Sequence, residues 1–224
     1  MIASGVMVRD VKTVGPGASV AEAARLMAQN DLSALLVVDD HEQLVGILVE
    51  ADLLRREEIG TDVRHPRWIE AMSPAATLVA EFAKSHGKQV KELMSEDVIA
   101  AKEDAPLAEI AAILERRRIK RIPITRDGAL VGIVSRANLI QALASASLKP
   151  SNGLDQSRTI RQELLSRLET QSWTDFGSRN VIVSDGKVHL WGLVSSPAER
   201  EALVAIAEGV PRVTGVVDET IPAY

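Results

Sequence analysis

The sequence predicts an α/β (α+β) protein: two copies of one strand–helix–strand–strand–helix unit forming a pseudo-symmetric module, then a smaller helix–strand–strand–helix–strand domain. Three observations predict it. Val11-Lys-Thr-Val-Gly and the run from Leu36 to Gly46-Ile-Leu-Val-Glu-Ala-Asp52 return as Val98-Ile-Ala-Ala-Lys and the run from Pro123 to Gly132-Ile-Val-Ser-Arg-Ala-Asn138, about eighty-six residues on. Within each copy, short apolar runs alternate with stripes at helical spacing. Beyond Gly153 the pattern changes to alternating runs around Asp185-Gly186, a hairpin signal. Each copy is too short to close a large core alone, so the pair is expected to share one, with a cleft along the common face.

In the first copy an extended piece begins at Val11 and Thr13. Ser19 and Glu22 make an S-x-x-E capping box ahead of Val20, Ala23, Ala24, Leu26 and Met27, one helical stripe that Asn30 ends. Leu35 to Val38 reads as a strand, Asp39 to Gln43 as a turn, Leu44 to Leu48 as a second strand, and a helix starts near Ala51. The second copy keeps this order: Pro106 at a helix start, a stripe of Leu107, Ile110, Ile113 and Leu114, a strand over Ile122 to Thr125, a turn at Arg126-Asp127-Gly128, a strand over Leu130 to Val134, and a helix from Arg136. Between the copies an insertion at 58–89 is interrupted at Ser73-Pro74 and reads as two short helices. Its Trp68 and Phe82 are notable in a chain only 3% aromatic, and predict that it packs on the core or on a second subunit.

A polar linker at 147–156 precedes the last domain. There Ile160, Leu164, Leu165 and Leu168 define a helix stripe. Val181 and Val183 alternate before the turn, Val188, Leu190 and Val194 after it. Ser196-Pro197-Ala198-Glu199 caps a helix with Leu203, Ile206 and Ala207, and a strand follows through Val213, Val216 and Val217. The domains are thus 1–57, 58–89, 90–146, 147–156 and 157–224.

Composition removes several functions. The chain has 224 residues, 46% of them hydrophobic, and no cysteine, so disulfides, thiolate nucleophiles and zinc–thiolate sites are excluded. His41, His65, His86 and His189 lack ligand spacing, and no metal site is expected. No apolar run is long enough to span a bilayer and no secretory leader is visible, so the chain reads as cytoplasmic. The net charge of −5 is unsegregated: residues 157–224 hold seven Lys/Arg against nine Asp/Glu. Nucleic acid is not an expected partner, and membrane binding is doubtful, since neither part has a basic face. No acid, base and nucleophile converge in the sequence, so no enzyme and no catalytic cofactor is expected.

The element order and the Gly-Ile-x-[Ser/Thr]-x-x-[Asp/Asn] ending, complete in the second copy, resemble a tandem pair of CBS domains over about residues 6–57 and 90–146. The resemblance implies a module that binds adenosine nucleotides (AMP, ADP or ATP) in clefts between the repeats, and a homodimer formed through the pairs. It assigns Ser135 to phosphate or ribose oxygens and Asn138 to ribose hydroxyls, with Val98, Ile99, Ala100, Ile122 and Pro123 walling the base. On physical grounds a hydroxyl and an amide at a helix start suit an anionic sugar phosphate; the alternative is that they simply cap the helix. Arg116-Arg117-Arg118-Ile119-Lys120-Arg121 borders that cleft in such pairs. The three arginines suit a helix C-terminus, while Lys120 and Arg121 are candidates to neutralise phosphates. The first copy keeps Asp52 but has Val49 where the pattern asks for a hydroxyl, so its cleft is expected to be degenerate or to take a less phosphorylated ligand.

The last domain, with Val181-Ile-Val-Ser-Asp-Gly-Lys-Val-His-Leu-Trp-Gly192 and Ser195-Ser-Pro-Ala-Glu-Arg-Glu-Ala202, resembles a BON domain over about 158–222. Such domains are usually linked to phospholipid attachment. Arg212 stands where the family commonly carries glycine before the last strand, which implies a differently shaped turn or a strained one. The sequence therefore predicts a regulatory protein whose CBS pair binds an adenine nucleotide and whose BON domain relays to an unidentified protein partner; the alternative is a dimeric scaffold that senses nothing and uses the BON domain as a tether.

Overall fold

The structure, a computed structural model, describes residues 1–54, 56, 59–61, 74, 86–145, 154–177 and 180–223. The insertion expected at 58–89 falls almost wholly outside these residues, as does most of the linker at 147–156. The chain divides into two compact units, one of Lys12–Ile99 with Asp127–Leu130, the other of Met1–Val11, Ala100–Arg126 and Val131–Tyr224.

The first of these units holds β1 (Thr13–Val14), α1 (Val20–Gln29), β2 (Ala34–Val38), β3 (Leu44–Val49), α2 (Glu50–Leu53) and α3 (Val90–Leu93). Helix α1 starts where Ser19 Oγ accepts the Glu22 N–H at 3.1 Å, and Asn30 caps its end. β1 runs parallel to β2, and β2 antiparallel to β3 with Leu36 opposite Ile47. Ala23, Leu35, Val37, Leu48, Val90 and Leu93 are wholly buried between sheet and helices. The hairpin tip Asp127–Leu130 joins this unit because the Leu44 N–H donates to the Gly128 carbonyl and the Leu130 N–H to the Glu42 carbonyl.

The other unit carries the second repeat and the last domain. β4 (Ala101–Lys102), α4 (Leu107–Arg116), β5 (Arg121–Arg126), β6 (Ala129–Ser135) and α5 (Arg136–Ala144) repeat the earlier order, with sheet order β4-β5-β6. Asp127 and Gly128, at φ 51° and 86°, make the tight turn of the hairpin. The chain's first residues belong here too. Val8 and Ile133 exchange both backbone hydrogen bonds at 2.9 Å, and the Ala3 and Ser4 N–H groups donate to the Ala105 and Glu103 carbonyls.

The last domain comprises α6 (Leu154–Glu169), β7 (Val181–Ser184), β8 (Lys187–Val194), α7 (Pro197–Glu208) and β9 (Gly215–Pro222). The last positions of the expected linker are thus helical. β7 is antiparallel and β9 parallel to the central β8. Ile160, Leu164, Val181, Val188, Leu190, Leu203 and Ala207 form the core between one sheet face and the two helices. The expected burial alternation fails in β7, where all four residues are buried, Ile182 and Ser184 included. The second face of this strand is covered as well, Met1, Ile2 and Gly5 lining one small cavity with Val183 and Ser184. Arg161 sits in the apolar stripe of α6 at 3% exposure, donating from Nε to the Val181 carbonyl (2.9 Å), from Nη1 to that of Ser4 (3.3 Å) and from Nη2 to that of Met7 (3.0 Å). Burial pushes its pKa down to about 10, with Arg9 adding to the shift.

Candidate functional site

β6 delivers Ser135 to the N-cap of α5. Extended there (φ −109°, ψ 167°), Ser135 leaves the first helical N–H groups without intrahelical partners. Its hydroxyl accepts the Asn138 N–H at 3.3 Å and donates to Asn138 Oδ1 at 2.7 Å, and Oδ1 also accepts the Ser135 N–H at 2.9 Å. This is a closed capping box. Asn138 is 5% exposed, with its Nδ2 donating to Gln141 Oε1. The Arg136 N–H is taken by the Lys120 carbonyl at 3.1 Å, which ties the start of α5 to the entry of β5.

The basic run divides as its chemistry suggests. Arg116 ends α4 and donates to the Ala112 carbonyl, Arg117 is the C-cap, and Arg118 takes φ 54° to turn the chain out of the helix. Lys120 and Arg121 are exposed, and among the described residues neither side chain is held by a hydrogen bond or ion pair. Ile122 (0%) and Pro123 are buried, so they stiffen the strand under the cap and present little surface outward. Ala100, Lys120, Arg121, Ile122, Pro123, Ser135 and Asn138 lie in one unit; Val98, Ile99 and Asp52 lie in the other.

In the first copy Asp52 Oδ2 accepts the Val49 N–H at 3.0 Å, but Val49 has no oxygen to return the bond. The aspartate half of the cap survives and the hydroxyl half is missing. Among the described residues no cluster of His, Asp or Glu has the arrangement of a metal site, and no helix is long and apolar enough to cross a membrane.

Sequence reasoning missed what Gly46, Gly132 and Arg161 do. A Cβ on Gly132 would lie 2.8 Å from the Val8 carbonyl oxygen, and one on Gly46 3.2 Å from the Ser95 carbonyl oxygen. Both glycines admit a neighbouring main chain, and the repeat motif gave only their positions. For Arg161 a signal existed, since a cation at i−3 and i−4 from Leu164 and Leu165 lies in an apolar stripe. Arg212 takes φ 71°, so of the two turns open to it the chain adopts the left-handed one that favours glycine. Trp191, on the sheet face opposite Leu190, is half-buried and donates from Nε1 to Ser145 Oγ at 3.3 Å.

Two short sheets with capped helices in repeated order, followed by an αββαβ domain, define a repeat-built module with an appended small domain. The CBS domain model matches residues 3–58 and 90–145, and the BON domain model matches residues 156–221. The chain belongs to the CBS-domain family and carries a BON domain behind its pair of repeats. An uncharacterised protein of Methanocaldococcus jannaschii is 26% identical over 203 residues, covering 88% of this chain and 44% of that protein. The chloroplastic CBS domain-containing protein CBSX1 of Arabidopsis thaliana is 32% identical over 139 residues, 59% of each chain. This chain thus matches about half the length of these curated relatives. The crystal structure of CBSX2 in complex with AMP is similar with a TM-score of 0.54 and 28% identity, covering 64% of this chain and 96% of that one.

Proposed function

We propose that this protein is a non-catalytic regulator whose CBS pair binds an adenine nucleotide, AMP, ADP or ATP, and whose BON domain relays occupancy to a protein partner. The observation that carries the reading is the Ser135–Asn138 pair at the head of α5, in the Gly132-Ile-Val-Ser-Arg-Ala-Asn138 sequence, with Lys120 and Arg121 exposed at the entry of the neighbouring strand. A hydroxyl, an amide and two unengaged cations suit a ribose phosphate. CBSX2, similar in fold, is described in complex with AMP. Assembly is a homodimer through the CBS pairs, supported by Ile140 and Leu143, which α5 leaves 67% and 77% exposed. A dimeric scaffold that senses nothing is the second reading, favoured by the closed Ser135–Asn138 cap and by the 0% exposure of Ile122. Isothermal titration of the full chain with AMP, ADP and ATP separates the two. Heat with saturable binding and a raised melting temperature supports the sensor, and no heat from all three supports the scaffold.

A further inference from the structure

Helix α5 carries a polar contact at each end. At the first, Ser135 and Asn138 bond to each other through three hydrogen bonds. At the second, buried Ser145 is the C-cap, its N–H donating to the Gln141 carbonyl and its Oγ accepting from the Trp191 indole. Trp191 lies on the non-core face of the β7-β8-β9 sheet, opposite Glu219 of β9. The nine residues between the caps span about 14 Å at the helical rise.

The chemistry of the first cap gives it two arrangements. A serine hydroxyl has one proton. Here it goes to Asn138 Oδ1, an oxygen that also holds the Ser135 N–H. A ligand oxygen that takes this proton, or a ligand hydroxyl that donates to Oδ1, must replace a bond within the cap. The first turn of α5 is therefore either self-capped or ligand-capped, and a helix of nine residues moves at an interface largely as one body. Its far end cannot shift without altering the Ser145–Trp191 contact. The rest of the junction is pinned independently. Arg161 holds the Ser4 and Met7 carbonyls, and the next residue, Val8, is paired with Ile133 in β6.

We infer that α5 is the transmitting rod between the Ser135–Asn138 cap and the BON sheet, its position under Trp191 set by whether that cap is closed on itself or opened by an oxygen ligand. The ligand's identity rests on the nucleotide reading above; the two-state cap does not. Coupling of this kind is reciprocal, so the Trp191 contact also sets ligand affinity.

The test uses the full chain with Trp68→Phe and Trp173→Phe, which leaves Trp191 as the one tryptophan of three. Without any ligand, Ser135→Ala and Asn138→Ala each open the cap and are expected to shift Trp191 emission and its quenching by acrylamide. Spectra of both variants that match the parent overturn the inference. AMP is expected to shift the same emission with the midpoint found by calorimetry, and Trp191→Phe to change AMP affinity at least about five-fold. AMP that binds by calorimetry and leaves Trp191 emission unchanged also overturns it. If AMP, ADP and ATP give no heat, the nucleotide reading fails, and the ligand-free spectra still decide the role of α5.

Discussion

The Val8 carbonyl oxygen lies 2.8 Å from where a side chain on Gly132 would begin, and Met7 Sδ lies 2.9 Å from the same point. In the first repeat the counterpart is Gly46, facing Met94 Sδ at 2.5 Å and the Ser95 carbonyl oxygen at 3.2 Å. Both contacts sit beside a two-bond bridge, Val8 with Ile133 and Ser95 with Ile47, all four bonds at 2.9 Å. The segment leading into one repeat thus lies on the last strand of the other, and the glycine of each Gly-Ile motif makes room for it. Gly132→Ala must push main chain off β6 and is expected to destabilise the protein by about 2–3 kcal/mol. Gly46→Ala should cost less, because the flexible Met94 side chain can swing while Ser95 gives a few tenths of an ångström. Denaturant melts of the full chain compare them, and equal losses would contradict this account.

Local elements were legible from the sequence because their causes are local. The Ser19 cap, the Asp127-Gly128 and Asp185-Gly186 turns and the stripe of Ile160, Leu164, Leu165 and Leu168 each depend on residues within a few positions of one another. The cap of Ser135 and Asn138 was legible too, though only as one of two readings of the same pair. The partners of Arg161 were not, since Ser4 and Met7 lie 157 and 154 positions away. Nor was the covered outer face of β7, because alternation reports on burial only when one face meets water.

Arg212 holds a left-handed backbone at φ 71° just before β9, where the Thr214 N–H must reach the Gly186 carbonyl at 2.8 Å. That conformation costs an ordinary residue about 1–2 kcal/mol, and glycine would surrender about 0.5–1 kcal/mol through its freer unfolded chain. Since the exposed Arg212 side chain contributes little packing, Arg212→Gly is expected to stabilise the BON domain by roughly 0.5–1 kcal/mol on balance. A lowered denaturation midpoint for this variant would show that the turn is not strained.

His189 sits in β8 between Ile182 of β7 and Val217 of β9, with its Nδ1 buried and without a hydrogen-bond partner. Burial pushes its pKa below 6.5; Glu219 opposes that shift and Lys187 adds to it. The unfolded chain then binds the proton more tightly than the folded one, so the stability His189 contributes is full above about pH 6.5 and is lost as pH falls through that value toward the folded pKa. Glu199, held below the carboxylate range by the Ser195 and Thr174 hydroxyls and the Ser195 N–H, loses its contribution only below about pH 4.5. Between pH 6.5 and 5 the wild-type melting temperature should therefore fall, and His189→Gln should flatten that slope. An unchanged slope in the variant would assign the loss to other groups.

The cap of α5 has the Ser135 hydroxyl and the Asn138 amide where that of α2 has Val49 and the Asp52 carboxylate, and ligand affinity should differ with them. Ser135 Oγ both accepts from and donates to Asn138, whereas Val49 has no side-chain oxygen and meets the Asp52 carboxylate through its own N–H. A hydrogen bond to a charged acceptor is worth about 1.5–3 kcal/mol, roughly a tenfold to hundredfold difference in affinity for a phosphorylated ligand. One high-affinity nucleotide per chain is expected. Asn138→Ala should weaken it by about 1–3 kcal/mol by leaving ribose hydroxyls unpaired, and Asp52→Ala should weaken that event far less. Val49→Thr restores the missing oxygen and should strengthen the weaker site. Isothermal titration of the four chains with AMP, ADP and ATP reads all of this directly; two equal sites in the wild type, or a loss on Asp52→Ala as large as that on Asn138→Ala, would mean that the ligand is not held by the cap of α5.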